Sequence, residues 1–228
     1  MSRPAPSRTV HHADAIAWLT GQPVQHGCSF ITSLPDVSET PLTFEKWKPW
    51  FVDAAALILN RCPPEGVAIF FQTDIKHQGT WVDKGYLCAK AAEREGVDIL
   101  WHKIVCRREP GAISFGRPAY AHLLCFSRGV RADPAKSTMD VLPKLGKMTW
   151  ARAMGLEACR QSCEFILSAT STRTVVDPFC GVGTALAMAN HLGLDAIGVE
   201  LNRKRALQAQ ELQIHRELAE TARRRSPL

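Results

Sequence analysis

The stretch Val175-Val176-Asp177-Pro178-Phe179-Cys180-Gly181-Val182-Gly183-Thr184 decides the fold of this chain. Its paired valines predict a strand, Gly181 and Gly183 form a Gly-x-Gly turn, and residues 185–192 predict a helix that ends at Gly193. The two glycines of the turn lack a Cβ where a ligand approaches the backbone, and the helix start offers free N–H groups. A strand, a glycine turn and a helix in this order predict the nucleotide-binding half of a doubly wound sheet.

A second strand, Ala196-Ile197-Gly198-Val199-Glu200, follows that helix and ends on a carboxylate. It lies about 20 residues after the first glycine, where such folds place an acceptor for a ribose diol. A dinucleotide turn requires a third glycine, and the chain has Leu186 at that position. The pattern therefore predicts a nucleoside-containing cofactor other than NAD.

The block Asp-Pro-Phe-x-Gly-x-Gly-Thr at 177–184, followed by Leu-Gly at 192–193 and Ile-Gly-Val-Glu at 197–200, resembles the S-adenosylmethionine (SAM) site of amino-methyltransferases that act on nucleic acids. In that family the glycine turn holds the methionine end of SAM and the acidic residue holds the ribose. Asp14, in His12-Ala13-Asp14-Ala15, matches an aspartate that contacts the adenine. The resemblance implies the cofactor-binding residues Asp14, Asp177, Pro178, Phe179, Gly181, Gly183, Thr184 and Glu200.

Alternating strand and helix patterns extend over most of the 228 residues. They predict a Rossmann-like α/β fold with a mostly parallel seven-stranded sheet. Residues 98–107 and 119–127 predict an antiparallel pair at its edge, 128–148 a connector, and 150–167 an amphipathic helix. From Asn202 onward the pattern predicts a long polar helix that ends in three arginines at 223–225.

The order of these parts resembles the β class of the amino-methyltransferases, a circular permutation in which the catalytic half comes first and the SAM half last. The match covers roughly residues 9–210. It implies that the helix predicted at 150–167 lines the methionine pocket.

The composition of the chain indicates its domain organisation and the cellular compartment in which we expect it. Residues 1–8 have no apolar core and predict a disordered tail rather than a secretory signal, which leaves 9–228 as a single domain. No apolar run approaches the ~20 residues that span a bilayer. The eight cysteines include no Cys-x-x-Cys pair, so we expect a reducing, cytoplasmic protein without a zinc site. His11 and His12 have no third ligand at useful spacing, and we predict no metal.

The turn Ser33-Leu34-Pro35-Asp36 follows a strand predicted at 27–33. In the amino-methyltransferases that this chain resembles, the catalytic tetrapeptide lies at this position. It consists of Asp, Asn or Ser, followed by Pro-Pro and an aromatic residue. The first residue and a backbone carbonyl accept hydrogen bonds from the target amino group, and the aromatic stacks on the extruded base. Serine in first place is the form associated with cytosine N4 targets, but here leucine stands in place of one of the two prolines and aspartate replaces the aromatic.

Two other interpretations of this turn remain open. Leu-Pro also resembles the Asn-Leu-Pro of tRNA guanosine N1-methyltransferases, in which a nearby acid takes a ring proton; Asp36 would then be a general base, followed by Glu39. Alternatively, the turn only caps the next helix, because serine and aspartate both favour that position.

Basic and aromatic side chains predict the substrate surface. Lys76, Trp81 and Lys84 place an aromatic between two cations after a strand's carboxyl end, where ligands bind in such sheets. The net charge of +6 and the basic positions 103, 107, 108 and 223–225 permit a polyanionic partner.

The predicted function is SAM-dependent methylation of a base in nucleic acid. RNA, and tRNA in particular, is favoured because 128–148 is too short for the added region with which DNA enzymes of this family recognise sequence, whereas RNA is recognised through its shape. Two alternatives stay open: a DNA amino-methyltransferase for cytosine N4 or adenine N6 with little sequence preference, and a catalytically weak SAM-fold protein that binds RNA or a partner subunit. A homodimer is also compatible with the sequence.

Overall fold

The computed structural model describes residues 5–24 and 26–214. The strands are β1 (Arg8–His12), β2 (Cys28–Thr32), β3 (Ala68–Gln72), β4 (Ile75–His77), β5 (Thr80–Val82), β6 (Asp98–Cys106), β7 (Tyr120–Ser127), β8 (Val141–Leu142), β9 (Thr174–Asp177) and β10 (Asp195–Glu200). The helices are α1 (Ala15–Gly21), α2 (Phe44–Arg61), α3 (Lys84–Arg94), α4 (Leu156–Ala169), α5 (Thr184–His191) and α6 (Arg203–Glu211). Short 3₁₀ turns lie at Val37–Glu39 and Pro134–Lys136.

Eight strands form one sheet in the order β1-β10-β9-β2-β3-β7-β6-β8. The five strands from β1 to β3 are parallel neighbours, and β7 runs antiparallel to both β3 and β6. The predicted Rossmann-like, mostly parallel sheet is confirmed. Two details differ from the prediction: the antiparallel strand lies between two others rather than at an edge, and the sheet has an eighth strand.

That eighth strand, β8, comes from the segment predicted to be a connector. Val141 and Leu142 pair in parallel with Ile104 and Val105 of β6, and Leu142 is buried. Two residues are too short a stretch to show a strand periodicity, so the sequence pattern could not reveal it.

Helices cover both faces of the sheet because the central strands are apolar on both sides. All five residues of β2 and all five of β3 are buried. Side chains of α4, α5 and α6 join one core, to which Ile69 contributes. Side chains of α1, α2 and α3 join the other core, to which the neighbouring Phe70 contributes.

Seven of the eight cysteines are buried and Cys106 is partly buried. Burial raises the pKa of thiols such as Cys88 and Cys163.

Several predicted boundaries require correction. The residues around Lys76 and Trp81, which follow β3, form the β4–β5 hairpin. The helix predicted at 150–167 begins only at Leu156, since Gly155 is its N-cap with an extended backbone and packs so closely against the carbonyl oxygen of Leu145 that no Cβ would fit. Trp150 and the residues up to Gly155 form an irregular segment instead.

Two elements near the ends of the described chain also differ from the sequence-based prediction. Strand β1 begins at Arg8, inside the predicted tail, and the Arg8 guanidinium donates to the carbonyls of Ala209 and Leu212 at 2.8 and 2.6 Å. Helix α6 ends at Glu211, and the three arginines at 223–225 lie outside the described residues. No helix in the described ranges is both long and apolar enough to cross a membrane.

Candidate active site

The carboxyl ends of four parallel strands meet at one edge of the sheet and surround a cavity of about 370 Å³. Such an edge is where open α/β sheets bind their ligands. Most of the residues predicted to form the site line this one cavity: Asp14, Ser33, Leu34, Pro35, Asp177, Pro178, Phe179, Gly181, Thr184 and Glu200. The structure thus brings together residues from both halves of the chain.

The glycine turn between β9 and α5 requires both of its glycines, for different reasons. Gly181 has φ +56° and faces the cavity, where its missing Cβ leaves room beside the Trp150 ring. Gly183 has φ +83° and packs against α6 rather than lining the cavity, since a Cβ there would lie 2.8 Å from the Cα of Ala209. The role predicted for Gly183 in cofactor binding is therefore indirect: it allows the turn and the packing of α6.

Asp177, the last residue of β9, is the buried acid of the cavity, with 4% of its surface exposed. Its Oδ1 accepts hydrogen bonds from Thr32 Oγ1 at 2.8 Å and from the Phe179 N–H at 3.1 Å. Burial nevertheless raises the pKa of Asp177 to about 7, because the loss of hydration outweighs these hydrogen bonds. A cation placed in the cavity would favour the ionised form.

Glu200, the last residue of β10, is held in place by two donors. Its Oε1 accepts from the Asn202 N–H at 2.7 Å and lies 3.0 Å from Nη2 of Arg205. The contacts made to Glu200 by the described residues go to Oε1, which leaves Oε2 as an acceptor for a ligand hydroxyl. Arg205 also lies over the Trp150 ring, with the guanidinium carbon 5.7 Å from the ring centroid.

Sequence reasoning did not single out Trp50, Trp150 and Arg205 as residues of the cavity wall, although the resemblance implied that the segment beginning at Trp150 lines the methionine pocket. Trp50 meets the Phe179 ring edge-on at a centroid distance of 6.3 Å. These side chains come from α2, the irregular segment and α6, and no local motif marks them. Asp14, which the resemblance did mark, lines the cavity while its Oδ1 caps α1 by accepting from the Ala17 N–H at 2.8 Å.

A second, polar cavity of about 40 Å³ adjoins the first. Ser33 and Leu34 line both, so the turn after β2 lies at their junction. The charged residues around the polar cavity are Asp36, Glu39, Lys84, Arg107, Arg117 and Arg152. We refer to Ser33, Asp36 and this polar cavity as the acceptor corner.

Asp36 is held between two cations. Its Oδ1 lies 2.5 Å from Lys84 Nζ and its Oδ2 lies 2.7 Å from Arg117 Nη2, and 7% of its side chain is exposed. Both oxygens of this nearly buried carboxylate are thus engaged by cations of the protein. The geometry therefore argues against the general-base interpretation of Asp36 and favours a role in fixing Lys84 and Arg117.

The helix-capping interpretation is compatible with this arrangement. The backbone N–H of Asp36 donates to Glu39 Oε2 at 2.9 Å, which closes the short turn that follows. The other carboxylate oxygen of Glu39 lies 2.6 Å from Arg152 Nη1. Glu39 is thus engaged by a cation as well.

The predicted substrate residues Lys76, Trp81 and Lys84 do not form one surface. Lys84 is buried, with 3% of its side chain exposed, and is committed to Asp36. Lys76 lies 5.4 Å from the ring centroid of Trp81 on the exposed β4–β5 hairpin, as the sequence predicted for these two. Lys84 instead forms a buried ion pair beside the polar cavity, which no local pattern shows, so only Lys76 and Trp81 share the exposed surface.

Asp74, Asp83 and His122 bring potential ligand atoms within 4.8 Å of one another. Their polar atoms already have partners: Asp74 accepts from Trp81 Nε1 and His122 Nε2 at 3.1 and 3.0 Å, and Asp83 caps α3. Burial opposes ionisation of Asp74, but hydrogen bonds from His122 and from the Lys84 N–H lower its pKa on balance. In this structure the cluster fastens the hairpin and α3 to β7.

Comparisons with known proteins agree with this fold. Residues 161–211 match the model of a DNA methylase family, N6_N4_Mtase. A protein of Thermus thermophilus assigned as a DNA modification methylase, solved with SAM, superposes with a TM-score of 0.68 at 19% identity, covering 94% of this chain and 95% of the other. No curated protein sequence matches the chain.

Two further solved structures share the architecture. The PvuII cytosine-N4-specific DNA methyltransferase superposes with a TM-score of 0.71 at 13% identity, covering 96% of this chain and 93% of that one. The M1.HpyAVI–SAM complex gives a TM-score of 0.62 at 16% identity, with coverages of 90% and 98%. The fold is that of SAM-dependent methyltransferases, as the sequence predicted. The expected preference for RNA finds no support in these comparisons, whereas the DNA alternative does.

Proposed function

We propose that this protein is a SAM-dependent methyltransferase that modifies an amino group of a base in DNA, cytosine N4 or adenine N6. One observation carries the proposal: Ser33 lies where the cavity bounded by Asp177 and Glu200 meets a separate polar cavity. A group-transfer enzyme needs a donor site and an acceptor site in contact. The match of residues 161–211 to a DNA methylase family supports DNA as the substrate.

The large cavity fits SAM by its donor and acceptor groups. Glu200 Oε2 suits a ribose hydroxyl, and the buried carboxylate of Asp177 suits the positive charge of the methionine end. Gly181 lets the ligand approach the backbone, and Asp14 at the start of α1 lies where the resemblance implies an adenine contact. When bound, SAM supplies an electrophilic methyl group next to the acceptor corner.

The residues at the junction would orient the acceptor. Ser33 is partly exposed there and can accept a hydrogen bond from the target amino group, which aims the nitrogen lone pair at the methyl group. The amino nitrogen forms the new N–C bond as the methyl–sulfur bond breaks, and it then loses its proton to solvent. This step requires no strong base, in agreement with the paired state of Asp36.

We propose that this enzyme has little sequence preference. The segment 128–148, the only irregular connector predicted, supplies a 3₁₀ turn and strand β8 to the main sheet. The described residues contain no separate DNA-recognition domain, since they belong to this one sheet and its helices or to the β4–β5 hairpin. The permuted order of the two halves, with β2 early and β9 late in the chain, is part of the same proposal.

Purified protein incubated with labelled SAM and with DNA, tRNA or ribosomal RNA, followed by nucleoside mass spectrometry, tests the function. We expect N4-methylcytosine or N6-methyladenine in DNA. Methylation confined to RNA would replace the DNA proposal, and SAM binding without methyl transfer to any of the three would indicate a catalytically weak SAM-fold protein.

The same assay tests the acceptor corner. We expect Ser33→Ala to lower kcat by one to two orders of magnitude while SAM affinity is kept, because positioning of the nitrogen is lost but the donor cavity is intact. Ser38→Ala, on the exposed side of the next turn, is the matched control and should leave the rate unchanged. Equal rates in Ser33→Ala and the unmodified protein would place the acceptor elsewhere.

A further inference from the structure

The polar cavity beside Ser33 has more positive than negative charge around it. Four cations and two carboxylates line it. Arg152 is paired with Glu39, and Asp36 is shared by Lys84 and Arg117. The lining therefore has an excess of two positive charges, and Arg107 is the one lining cation that has no carboxylate partner among the described residues.

Arg107 is the least satisfied of these cations. The one hydrogen bond that its guanidinium makes to a described residue is a long one, 3.4 Å from Nη1 to the carbonyl oxygen of Pro118. Burial lowers the pKa of Arg107, and the nearby Arg117 and Arg108 lower it further. An anion in the cavity would relieve both effects, because it supplies the missing acceptor and the missing charge.

Arg117 is placed to bind the same anion. Asp36 fixes its Nη2, and Lys84 in turn fixes Asp36 from the buried side. The Arg117 side chain remains 42% exposed, and no other hydrogen bond from its guanidinium to a described residue is present. The ion pair with Asp36 thus positions the guanidinium of Arg117 in the cavity lining, and its remaining N–H groups are available to bind an anion.

We infer that Arg107 and Arg117 form a phosphate-binding subsite beside the acceptor corner, which takes the phosphodiester next to the target nucleotide. Guanidinium groups bind phosphate oxygens in a planar, two-pronged geometry. A cavity of about 40 Å³ holds on the order of three waters, the size of one phosphate group. The inference rests on the proposed function for the nature of the nucleotide, but not for the presence of the anion site.

The loop that carries Arg117 favours a nucleic-acid phosphate over that of a free nucleotide. Between β6 and β7 it exposes Ile113 at 77% and Phe115 at 88%. Arginines flank these apolar side chains on both sides, at 107, 108 and 117. Exposed apolar side chains between cations can stack on or wedge between bases while the cations hold the backbone.

The test compares Arg107→Gln and Arg117→Gln with the control Arg131→Gln, which removes the same charge. Arg131 pairs with Asp98 at the amino end of β6, whereas Arg107 follows the carboxyl end of that strand. Affinity for a mixed-sequence duplex oligonucleotide is measured by fluorescence anisotropy over a range of salt concentrations. We expect the slope of log affinity against log salt to fall by about 1 in each of the first two variants and to stay unchanged in Arg131→Gln. Circular dichroism and SAM affinity show whether each variant remains folded.

Two further probes identify the source of the phosphate. Inorganic phosphate and deoxynucleoside monophosphates are titrated by calorimetry, and Phe115→Ala is tested with all probes. Loss of oligonucleotide affinity in Phe115→Ala, with phosphate binding intact, is expected for nucleic acid. Weakened monophosphate binding in the arginine variants with an unchanged oligonucleotide slope would overturn the nucleic-acid source, and no change with any probe would overturn the subsite.

The outcome is separable from that of the proposed function. Methylated DNA together with unchanged salt slopes in Arg107→Gln and Arg117→Gln would leave the methyltransferase proposal standing and remove the subsite. Conversely, arginine-dependent phosphate binding without methyl transfer to DNA would keep the subsite and remove the proposed function.

Discussion

The cofactor cavity and the acceptor corner share Ser33 but are constructed in different ways. The cofactor side takes its two buried acids and its glycine turn from one continuous stretch, Asp177 to Glu200. The acceptor side depends on Asp36, which contacts Lys84 48 residues away and Arg117 81 residues away. A local motif can therefore specify the first region, whereas only the folded chain specifies the second.

The largest effect is expected when the buried cation of the acceptor corner is removed, because this region depends on contacts between distant residues. Lys84→Met should reduce the free energy of unfolding by about 3–5 kcal/mol, because it leaves the buried carboxylate of Asp36 with only the partly exposed Arg117. Urea unfolding followed by circular dichroism measures the loss.

Lys76→Met is the matched control for that measurement. Lys76 is exposed on the β4–β5 hairpin, so its replacement should change the unfolding free energy by no more than about 0.5 kcal/mol. Partial recovery of stability in the double variant Asp36→Asn with Lys84→Met would identify the unpaired charge as the cause. An unfolding free energy that is the same in Lys84→Met and Lys76→Met would show that the ion pair contributes nothing.

A second, smaller effect concerns the cofactor side. Glu200→Gln should weaken SAM binding by about 1.5–3 kcal/mol, the usual range for a hydrogen bond to a charged acceptor. Glutamine keeps an oxygen that can accept from the Asn202 N–H, so the fold of the strand end should persist. Calorimetry with SAM measures the change, and Glu211→Gln on exposed α6 should bind as the unmodified protein does. Equal affinities in both variants would contradict the ribose contact.

The sequence predicted the cofactor side well because its determinants are local. The strand before the turn, both glycines and the terminal Glu200 are read directly from residues 175–200, and the structure places them around one cavity with Gly183 behind it. These features follow from backbone conformation and periodicity, which neighbouring residues determine.

The acceptor side was predicted poorly because its determinants are distant contacts. Ser33 and Asp36 were recognised as a turn in the right place, but the partners of Asp36 were not. In the sequence, Lys84 has the pattern of a surface lysine that follows a polar stretch. In the structure, the packing of α3 against α2 buries it. The irregular segment from Trp150 likewise has a helical pattern, which the close contact of Gly155 with Leu145 overrides.

The last and smallest prediction concerns pH and Asp177. In the free protein the pKa of Asp177 is raised to about 7 by burial, so the group binds a proton in the folded state at pH values where the unfolded chain has lost it. Stability should therefore decrease as pH rises from about 4 towards 7, and Asp177→Asn should lack this component of the decrease.

SAM binding should show the opposite dependence on pH. A cationic ligand favours the ionised carboxylate and lowers its pKa, so affinity should rise by about tenfold between pH 6 and pH 8, with release of a proton. Calorimetry in buffers of different ionisation enthalpy measures both the affinity and the proton. Asp177→Asn retains an oxygen for Thr32 and the Phe179 N–H, and its SAM affinity should be nearly independent of pH over this range. A rise of the same size in that variant would assign the titration to another group and leave Asp177 as a structural acceptor at the end of β9.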